Sequence, residues 1–230
     1  MITCPPDHVA PGNVAQGWAT SDEVREYYRT LLGCLPWGGS GSCSTLRTLG
    51  ITSCARGEGV TTVAAHLAVT AACAGNHQVL LVDSNLARPS AHRTFGLNPG
   101  PGFAEAVLEG GRLPAVIQAS PVANLSILAA GQPDGDPAPA YDSPALPAVV
   151  EALRPDFDLI VFDMPAVQGS PVNRLAGLLD GVLLVVEAER VRWEVSRRGK
   201  EQLARANARL LGAVLVKRRH HLPRWLYRVL

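Results

Sequence analysis

The chain is organised around one stretch, Thr52-Ser53-Cys54-Ala55-Arg56-Gly57-Glu58-Gly59-Val60-Thr61-Thr62. It follows an apolar run that ends at Ile51 and precedes an alanine-rich helical pattern from Val63 to Ala74. A glycine-containing turn between a strand and a helix gathers backbone N–H groups around an anion, and the helix dipole favours negative charge there. The stretch therefore predicts a phosphate-binding loop.

The loop departs from the general pattern G-x-x-x-x-G-K-[ST] at two positions. Gly59, Thr61 and Thr62 match the pattern, whereas Val60 stands at the lysine position and Cys54 at the first glycine. The backbone cradle and the hydroxyl groups are thus kept. The side chain that normally neutralises phosphate oxygens is absent.

Two apolar runs further along the chain end in an aspartate. Asp83 follows the run Gln78–Val82, and Asp163 follows the apolar residues 159–162. A carboxylate at the carboxyl end of a parallel strand, beside a phosphate loop, holds magnesium or positions a reactant. For Asp83 a turn or helix cap is an equally good interpretation. Asp163 follows the Walker B pattern.

Strand-like apolar runs alternate with helical patterns, which predicts an α/β fold with a single doubly wound parallel sheet and helices on both faces. The Pro-, Asp- and Ala-rich segment Gly131–Pro144 predicts a surface loop. The predicted strands are 45–52, 78–82, 124–129, 159–163, 181–186 and 211–216, and the predicted helices are 23–32, 61–74, 90–95, 102–108, 145–153, 171–179 and 191–209.

The 230 residues suit one α/β domain with its own core. We expect a disordered segment over residues 1–20, an N-terminal helix with a flexible connector over 21–44, the α/β domain over 45–216 and a C-terminal tail over 217–230. Ser21 and Asp22 are candidate caps of the first helix.

Composition excludes several classes of protein. The net charge of +1 argues against a general nucleic-acid binder. No apolar run approaches the roughly 20 residues that span a bilayer, and residues 1–17 lack the apolar centre of a signal peptide. The five cysteines have no metal-ligand spacing, which favours reduced thiols and a cytoplasmic protein.

The tail is locally basic and contains bulky apolar side chains. It can be a packed turn with solvated charges, or it can contact an anionic membrane face or a membrane-embedded partner. Its cations are Lys217, Arg218, Arg219, Arg224 and Arg228, and its aromatic residues are Trp225 and Tyr227.

Six segments in the same order resemble the bacterial tyrosine kinase (BY-kinase) family, which acts in capsule and exopolysaccharide synthesis and is related to the ParA/MinD group of P-loop ATPases. They correspond to the family's phosphate loop, its second Walker-type motif, N-L-x-V-L-P-A-G, the Walker B segment, D-G-V-L-L-V-V and L-G-V-V-L-N-K-R. In this chain they are Thr52–Ala65, Val79–Pro89, Asn124–Gly131, Phe157–Ala166, Asp180–Val186 and Leu211–Arg218.

The resemblance implies a P-loop NTPase architecture of the SIMIBI type and transfer of a phosphoryl group from ATP to protein tyrosine. Thr61 and Asp163 would hold Mg²⁺, Asp83 would position or deprotonate the acceptor hydroxyl, and Tyr227 is the candidate acceptor. It also implies a membrane polysaccharide co-polymerase as partner and a location at the inner face of the cell membrane. The residues expected around ATP are Arg56, Gly57, Glu58, Gly59, Val60, Thr61, Thr62 and Arg88.

Several departures from the family pattern fall at functional positions. Besides Val60, Asn85 replaces the second aspartate of Val79–Pro89, Ala87 replaces an arginine there, and Val216 replaces an asparagine that contacts the base. They favour a second interpretation, a non-enzymatic partner of the co-polymerase. Arg56 and Arg88 are the hypothesised substitutes for the missing positive charge.

Two further expectations concern assembly. In the first helix the family's E-x-x-R-x-x-R contact motif reads Glu23, Glu26 and Arg29, so self-association is expected only with a reversed charge at its middle position. A ParA/MinD-type positioning ATPase is a weaker interpretation, because Ala55 stands where that group has its signature lysine.

Overall fold

A computed structural model describes residues 2–3, 22–37, 46–110, 113–132, 136, 138–168 and 172–217. Residues 38–44 of the predicted connector, residue 45 at the start of the first predicted strand, and the tail beyond Lys217, with Tyr227, lie outside these residues. Ile2–Thr3 forms a short strand, so the prediction of disorder over residues 1–20 does not hold for these two. Ser21 and the remainder of that segment are outside the described part.

The central feature of the described residues is an eight-stranded sheet in the order β1-β8-β7-β2-β6-β3-β5-β4. All neighbouring strands are parallel except the edge pair β4 and β5, which is antiparallel. The strands are β1 (Ile2–Thr3), β2 (Thr48–Ser53), β3 (Val79–Asp83), β4 (Ile117–Ala119), β5 (Leu125–Leu128), β6 (Leu159–Asp163), β7 (Gly181–Glu187) and β8 (Leu210–Val216).

The α-helices of the described ranges connect these strands, and none of them is long and apolar enough to cross a membrane. A 3₁₀ turn over Arg154–Asp156 precedes β6. The helices are α1 (Asp22–Gly33), α2 (Val60–Cys73), α3 (Ala91–Phe95), α4 (Phe103–Glu109), α5 (Leu113–Val116), α6 (Ala138–Asp142), α7 (Leu146–Leu153), α8 (Asn173–Leu178) and α9 (Trp193–Arg205).

Helices cover both faces of the sheet, as the alternation along β6 requires. Leu159 and Val161 face a core formed with α1 and α2, whereas Ile160 and Phe162 face a core formed with α4 and α6–α9. The prediction of a doubly wound P-loop fold is therefore confirmed. β4 adds an antiparallel edge that the sequence patterns did not indicate.

The prediction that Gly131–Pro144 is only a surface loop is wrong. It contains helix α6, in which Ala140 and Tyr141 are buried. The Tyr141 hydroxyl donates a hydrogen bond to the carbonyl oxygen of Ser84, at the end of β3. The surrounding prolines and aspartates concealed one apolar turn.

Helix α9 is shorter than the predicted 191–209. Arg192, before its first residue, has an extended backbone, and Asn207 has a φ of 56° in the left-handed region. Such a residue ends a helix. Arg209, the predicted last residue of the helix, therefore lies in the turn before β8.

A polar cluster at the opposite end of the sheet from the phosphate loop joins β2, β7 and the 3₁₀ turn. Asp180 accepts hydrogen bonds from the N–H groups of Arg47 and Thr48 at 2.9 and 2.8 Å. It also pairs with Arg154 at 3.0 Å. Burial of Asp180 alone would raise its pKa, but these hydrogen bonds lower the pKa overall.

We expect the substitution Asp180→Asn to destabilise the protein by about 1–3 kcal/mol at pH 7, because it removes a charge-assisted acceptor from a half-buried site. Since folding lowers the pKa of Asp180, this stabilisation is present above its ordinary pKa and is lost as the pH falls through the folded value. Urea denaturation at pH 7 and pH 3 measures both effects. Glu151→Gln removes an exposed partner of the same Arg154 and should cost about 0–1 kcal/mol.

Candidate functional site

The phosphate loop leaves the carboxyl end of β2 and leads into α2. Gly57 and Gly59 have φ values of 84° and 88°, a conformation that other residues rarely adopt. Within the described residues, the backbone N–H groups of residues 56–62 donate no hydrogen bond. A run of uncommitted N–H groups at the N-terminus of a 14-residue helix has the geometry that suits an anion.

Glu58 turns its side chain beneath the loop. One carboxylate oxygen accepts hydrogen bonds from the N–H groups of Cys54 and Ala55, at 3.0 and 3.3 Å. The other oxygen is buried without a hydrogen-bond partner among the described residues. Burial raises the pKa of Glu58. The side chain therefore closes the start of the loop, and the backbone of Glu58 is the part available to a ligand.

Cys54, at the first-glycine position, belongs to the core. A Cβ atom added to Gly199 of α9 would lie 2.8 Å from its sulfur, so α9 packs directly on this residue. Burial, with a smaller contribution from Glu58, raises the pKa of the Cys54 thiol to about 11. An un-ionised buried thiol is a packing group.

Val60 and Thr61 open helix α2 with different roles. Val60 packs against the core shared with α1, so the position of the usual lysine is filled by an apolar contact. The Thr61 hydroxyl lies 3.0 Å from that of Ser90, which precedes α3. Thr61 is thereby placed between the loop and the aspartates at the ends of β3 and β6.

Asp83 and Asp163 are paired positions of adjacent parallel strands, and both are fully buried. Asp83 accepts hydrogen bonds from the N–H groups of Asn85, Ser90 and Ala91 at 3.1, 2.8 and 2.9 Å. These contacts are those of a cap, one of the two interpretations that the sequence left open. They hold the segment after β3 against the phosphate loop.

Asp163 has no such support. Neither of its carboxylate oxygens makes a hydrogen bond of normal geometry within the described residues. Burial raises the pKa of Asp163 well above its ordinary value and the neighbouring Asp83 raises it further, while the Thr61 hydroxyl opposes the shift. A buried carboxylate without partners beside a threonine hydroxyl fits a hard divalent cation such as Mg²⁺.

A cavity of about 630 Å³ lies over the loop, within the size range of small-ligand sites. Asp83 and Asp163 are fully buried and are not among its lining residues, whereas Thr61 and Ser90 are. All eight residues predicted around ATP line it, together with Ser53, Asn85, Ala87, Ser90, Arg93, Asp136, Tyr141, Met164, Pro165, Ala166 and Gln168.

Three arginines border this cavity. Arg56 and Arg88 are exposed and were expected from the sequence, whereas Arg93 was missed. Arg93 donates a hydrogen bond to the carbonyl oxygen of Pro89 at 2.6 Å. Its position in a predicted helix directly after the Asp83 strand was the available signal.

Sequence comparison finds relatives among bacterial kinases, although no family model matches the chain. The tyrosine-protein kinase YwqD of Bacillus subtilis is 30% identical over 171 residues, which cover 74% of this chain and 72% of YwqD. The succinoglycan biosynthesis transport protein ExoP of Rhizobium meliloti is 29% identical over 180 residues, covering 76% of this chain but only 22% of ExoP.

Solved structures agree with the fold. The chimerical protein CapA2B2 superposes with a TM-score of 0.82 at 24% identity, over 95% of this chain and 93% of that one. The septum site-determining protein MinD of Pyrococcus horikoshii, solved with Mg-ADP, gives 0.63 at 24% identity over 74% and 69% of the two chains. Both likenesses establish the architecture.

Proposed function

Because this chain belongs to the bacterial tyrosine-protein kinases, we propose that it binds Mg²⁺-ATP over residues 56–62 and phosphorylates protein tyrosine during capsule or exopolysaccharide assembly. The observation that carries the proposal is the run of uncommitted N–H groups next to Asp163, a buried carboxylate without partners. An anion cradle beside an unsatisfied acidic group fits a metal-bound polyphosphate.

The loop backbone binds the phosphates, and the arginines supply charge. Phosphoryl transfer relies on positioning and on neutralising charge, which a P-loop lysine normally does. Arg56, Arg88 and Arg93 line the same cavity, and guanidinium groups bind phosphate oxygens in bidentate fashion. They take the place of the lysine that Val60 replaces.

Thr61 and Asp163 are the residues that would hold Mg²⁺, which would neutralise charge on the phosphate oxygens. No cluster of three His, Cys, Asp or Glu side chains that could hold a metal occurs in the described part of the chain. This agrees with Mg²⁺, which takes one or two protein ligands and completes its shell with phosphates and water.

Asp83 would position the acceptor hydroxyl. In the transfer, the tyrosine oxygen bonds to the γ-phosphorus as the bond to ADP breaks, and the hydroxyl proton passes to a carboxylate. The other tyrosines of the chain, Tyr27, Tyr28 and Tyr141, are buried, which leaves Tyr227 as the acceptor that we propose.

A non-enzymatic regulator is the second candidate function. It is favoured by Val60, whose side chain packs against the core, and by the replaced positions Asn85, Ala87 and Val216. Such a protein would regulate polysaccharide assembly by association, with weak nucleotide binding or none. A ParA/MinD-type positioning ATPase is less well supported, since Ala55 replaces that group's lysine.

A membrane polysaccharide co-polymerase is the proposed partner, at the inner face of the cell membrane. The similarity to part of ExoP supports a role beside a transport component, and the basic tail supports peripheral membrane contact. Self-association through α1 is less well supported, because Glu26 lies 3.9 Å from Arg29 of the same helix and competes for it.

Incubation with γ-labelled ATP and Mg²⁺ tests the proposal. We expect label on tyrosine, its loss in Tyr227→Phe, and a rise in melting temperature with Mg²⁺-ATP. Absence of label supports the non-enzymatic candidate, which binds nucleotide weakly or not at all. If Mg²⁺-ATP also causes no rise in melting temperature, the proposed nucleotide site is wrong.

A further inference from the structure

Lys217 approaches the phosphate loop from the far end of the chain. Its Nζ atom donates a hydrogen bond to the carbonyl oxygen of Gly57 at 3.0 Å, across 160 residues of sequence. The same atom lies 3.1 Å from a carboxylate oxygen of Glu187, at the end of β7. Lys217 thus joins the ends of two strands to the loop that lacks its own lysine.

The surroundings of Lys217 hold this contact in place. Arg190 lies 2.9 Å from the same Glu187 oxygen, and a Cβ atom on Gly57 would lie 3.7 Å from its guanidinium group. Burial alone would raise the pKa of Glu187, but the two cations lower it overall, so this anchor stays ionised. Lys217 itself has a φ of 55°, a conformation that non-glycine residues rarely adopt and that often marks function.

The contact of Lys217 with the Gly57 carbonyl oxygen also fixes the direction of the next N–H group. The carbonyl oxygen of Gly57 and the N–H of Glu58 belong to one trans peptide plane and point in opposite directions. Lys217 is not among the residues that line the cavity, whereas Gly57 and Glu58 both are. With the Gly57 carbonyl held towards Lys217, the N–H of Glu58 lies on the opposite side of that peptide plane, which is the side away from Lys217.

We propose that Lys217, anchored by Glu187, is a positioning residue that holds the phosphate loop ready for a nucleotide polyphosphate in a chain without the loop lysine. The inference rests on the proposed nucleotide site and adds a control point to it. The residue directly precedes the basic segment 218–230, so a partner that binds this segment acts next to the clamp.

The sequence offers a matched control, since Lys200 is its only other lysine. Lys200 is exposed on α9. We expect Lys217→Met to weaken Mg²⁺-ATP and Mg²⁺-ADP binding about tenfold by calorimetry, the effect of losing one charge-assisted hydrogen bond. Lys217→Arg should restore most of the affinity, and Lys200→Met should leave it unchanged.

Hydrogen exchange separates positioning from general instability. The amides of Cys54 and Ala55, which donate to the Glu58 carboxylate, and that of Val63, which donates to the Gly59 carbonyl oxygen, should exchange faster in Lys217→Met. The amides of β3 and β6 should keep their wild-type rates. Wild-type affinity and loop exchange in Lys217→Met would overturn the clamp, as would a Lys217→Arg variant as weak as Lys217→Met. If the wild-type protein binds no nucleotide, the nucleotide site itself is wrong, and loop exchange still tests the clamp.

Discussion

Replacement of Asp163 by asparagine should raise the melting temperature of the nucleotide-free protein and abolish its response to Mg²⁺-ATP. Both carboxylate oxygens are buried without hydrogen-bond partners among the described residues, next to the carboxylate of Asp83. An isosteric neutral side chain removes that desolvated charge, which we expect to stabilise the protein by about 1–3 kcal/mol. In a domain of this size this corresponds to roughly 2–4 °C per kcal/mol.

The stability of the nucleotide-free protein should also depend on pH, in a direction set by the two buried aspartates. Burial, and for Asp163 also the neighbouring carboxylate, raises the pKa of Asp83 and Asp163 above the ordinary value of 3.8. The folded protein therefore binds protons more tightly than the unfolded chain, and stability is lost as the pH rises through the folded pKa values. Nucleotide-free wild type should gain stability between pH 7 and pH 5, and Asp163→Asn should gain less.

Two measurements complete this test. Melting curves with and without Mg²⁺-ATP compare Asp163→Asn with Asp156→Asn, an exposed aspartate before the same strand, which should behave as wild type. A nucleotide-free Asp163→Asn protein that melts below wild type would mean that the carboxylate is already satisfied. A retained Mg²⁺-ATP shift would mean that Asp163 holds no magnesium.

The sheet could be predicted because its strands are short, continuous apolar runs. β3 and β6 are fully buried, so the pattern, the aspartate at each end and the following turn all point to one structure. β4 could not be predicted, since Ile117–Ala119 is a three-residue edge strand with little burial. α6 was missed because its apolar turn lies between prolines and aspartates.

Some residues of the candidate site could also be predicted from the sequence, and others could not. The loop, Asp83 and Asp163 could be predicted because each is a local pattern at the end of a strand. Ser90 and Lys217 could not be predicted, because their roles depend on which loops the fold brings together. Lys217 contacts a carbonyl oxygen, and a backbone acceptor leaves no sequence signal.

The loop therefore combines an intact backbone with an altered charge supply. The N–H groups of residues 56–62 come from strand, turn and helix geometry and do not depend on side chains. The cations come from Arg56, Arg88 and Arg93 around the cavity, and from Lys217 on the outer side. The backbone can thus bind phosphate without the lysine, while the positive charge comes from side chains on other segments of the chain.

Restoration of the lysine with Val60→Lys should strengthen Mg²⁺-ATP binding and weaken the nucleotide-free fold. A new charge-assisted hydrogen bond to phosphate contributes about 1.5–3 kcal/mol, or roughly ten- to a hundredfold in affinity. The same change removes an apolar contact with the core and places a cation at a helix N-terminus, which should cost about 1–2 kcal/mol of stability. Calorimetry with ATP and melting of the free protein measure the two opposite effects.

The controls separate the charge from the change of shape, and they test the arginines. Val60→Met has a similar length without charge and should not strengthen binding. If Arg56 and Arg88 replace the lysine, their double alanine variant should bind ATP more weakly than wild type, and Val60→Lys should gain more affinity in that background because one charge then compensates for the others. Equal gains in both backgrounds would show that the arginines act independently of the position of residue 60. No gain in either background would mean that the phosphates do not lie against the N-terminus of α2.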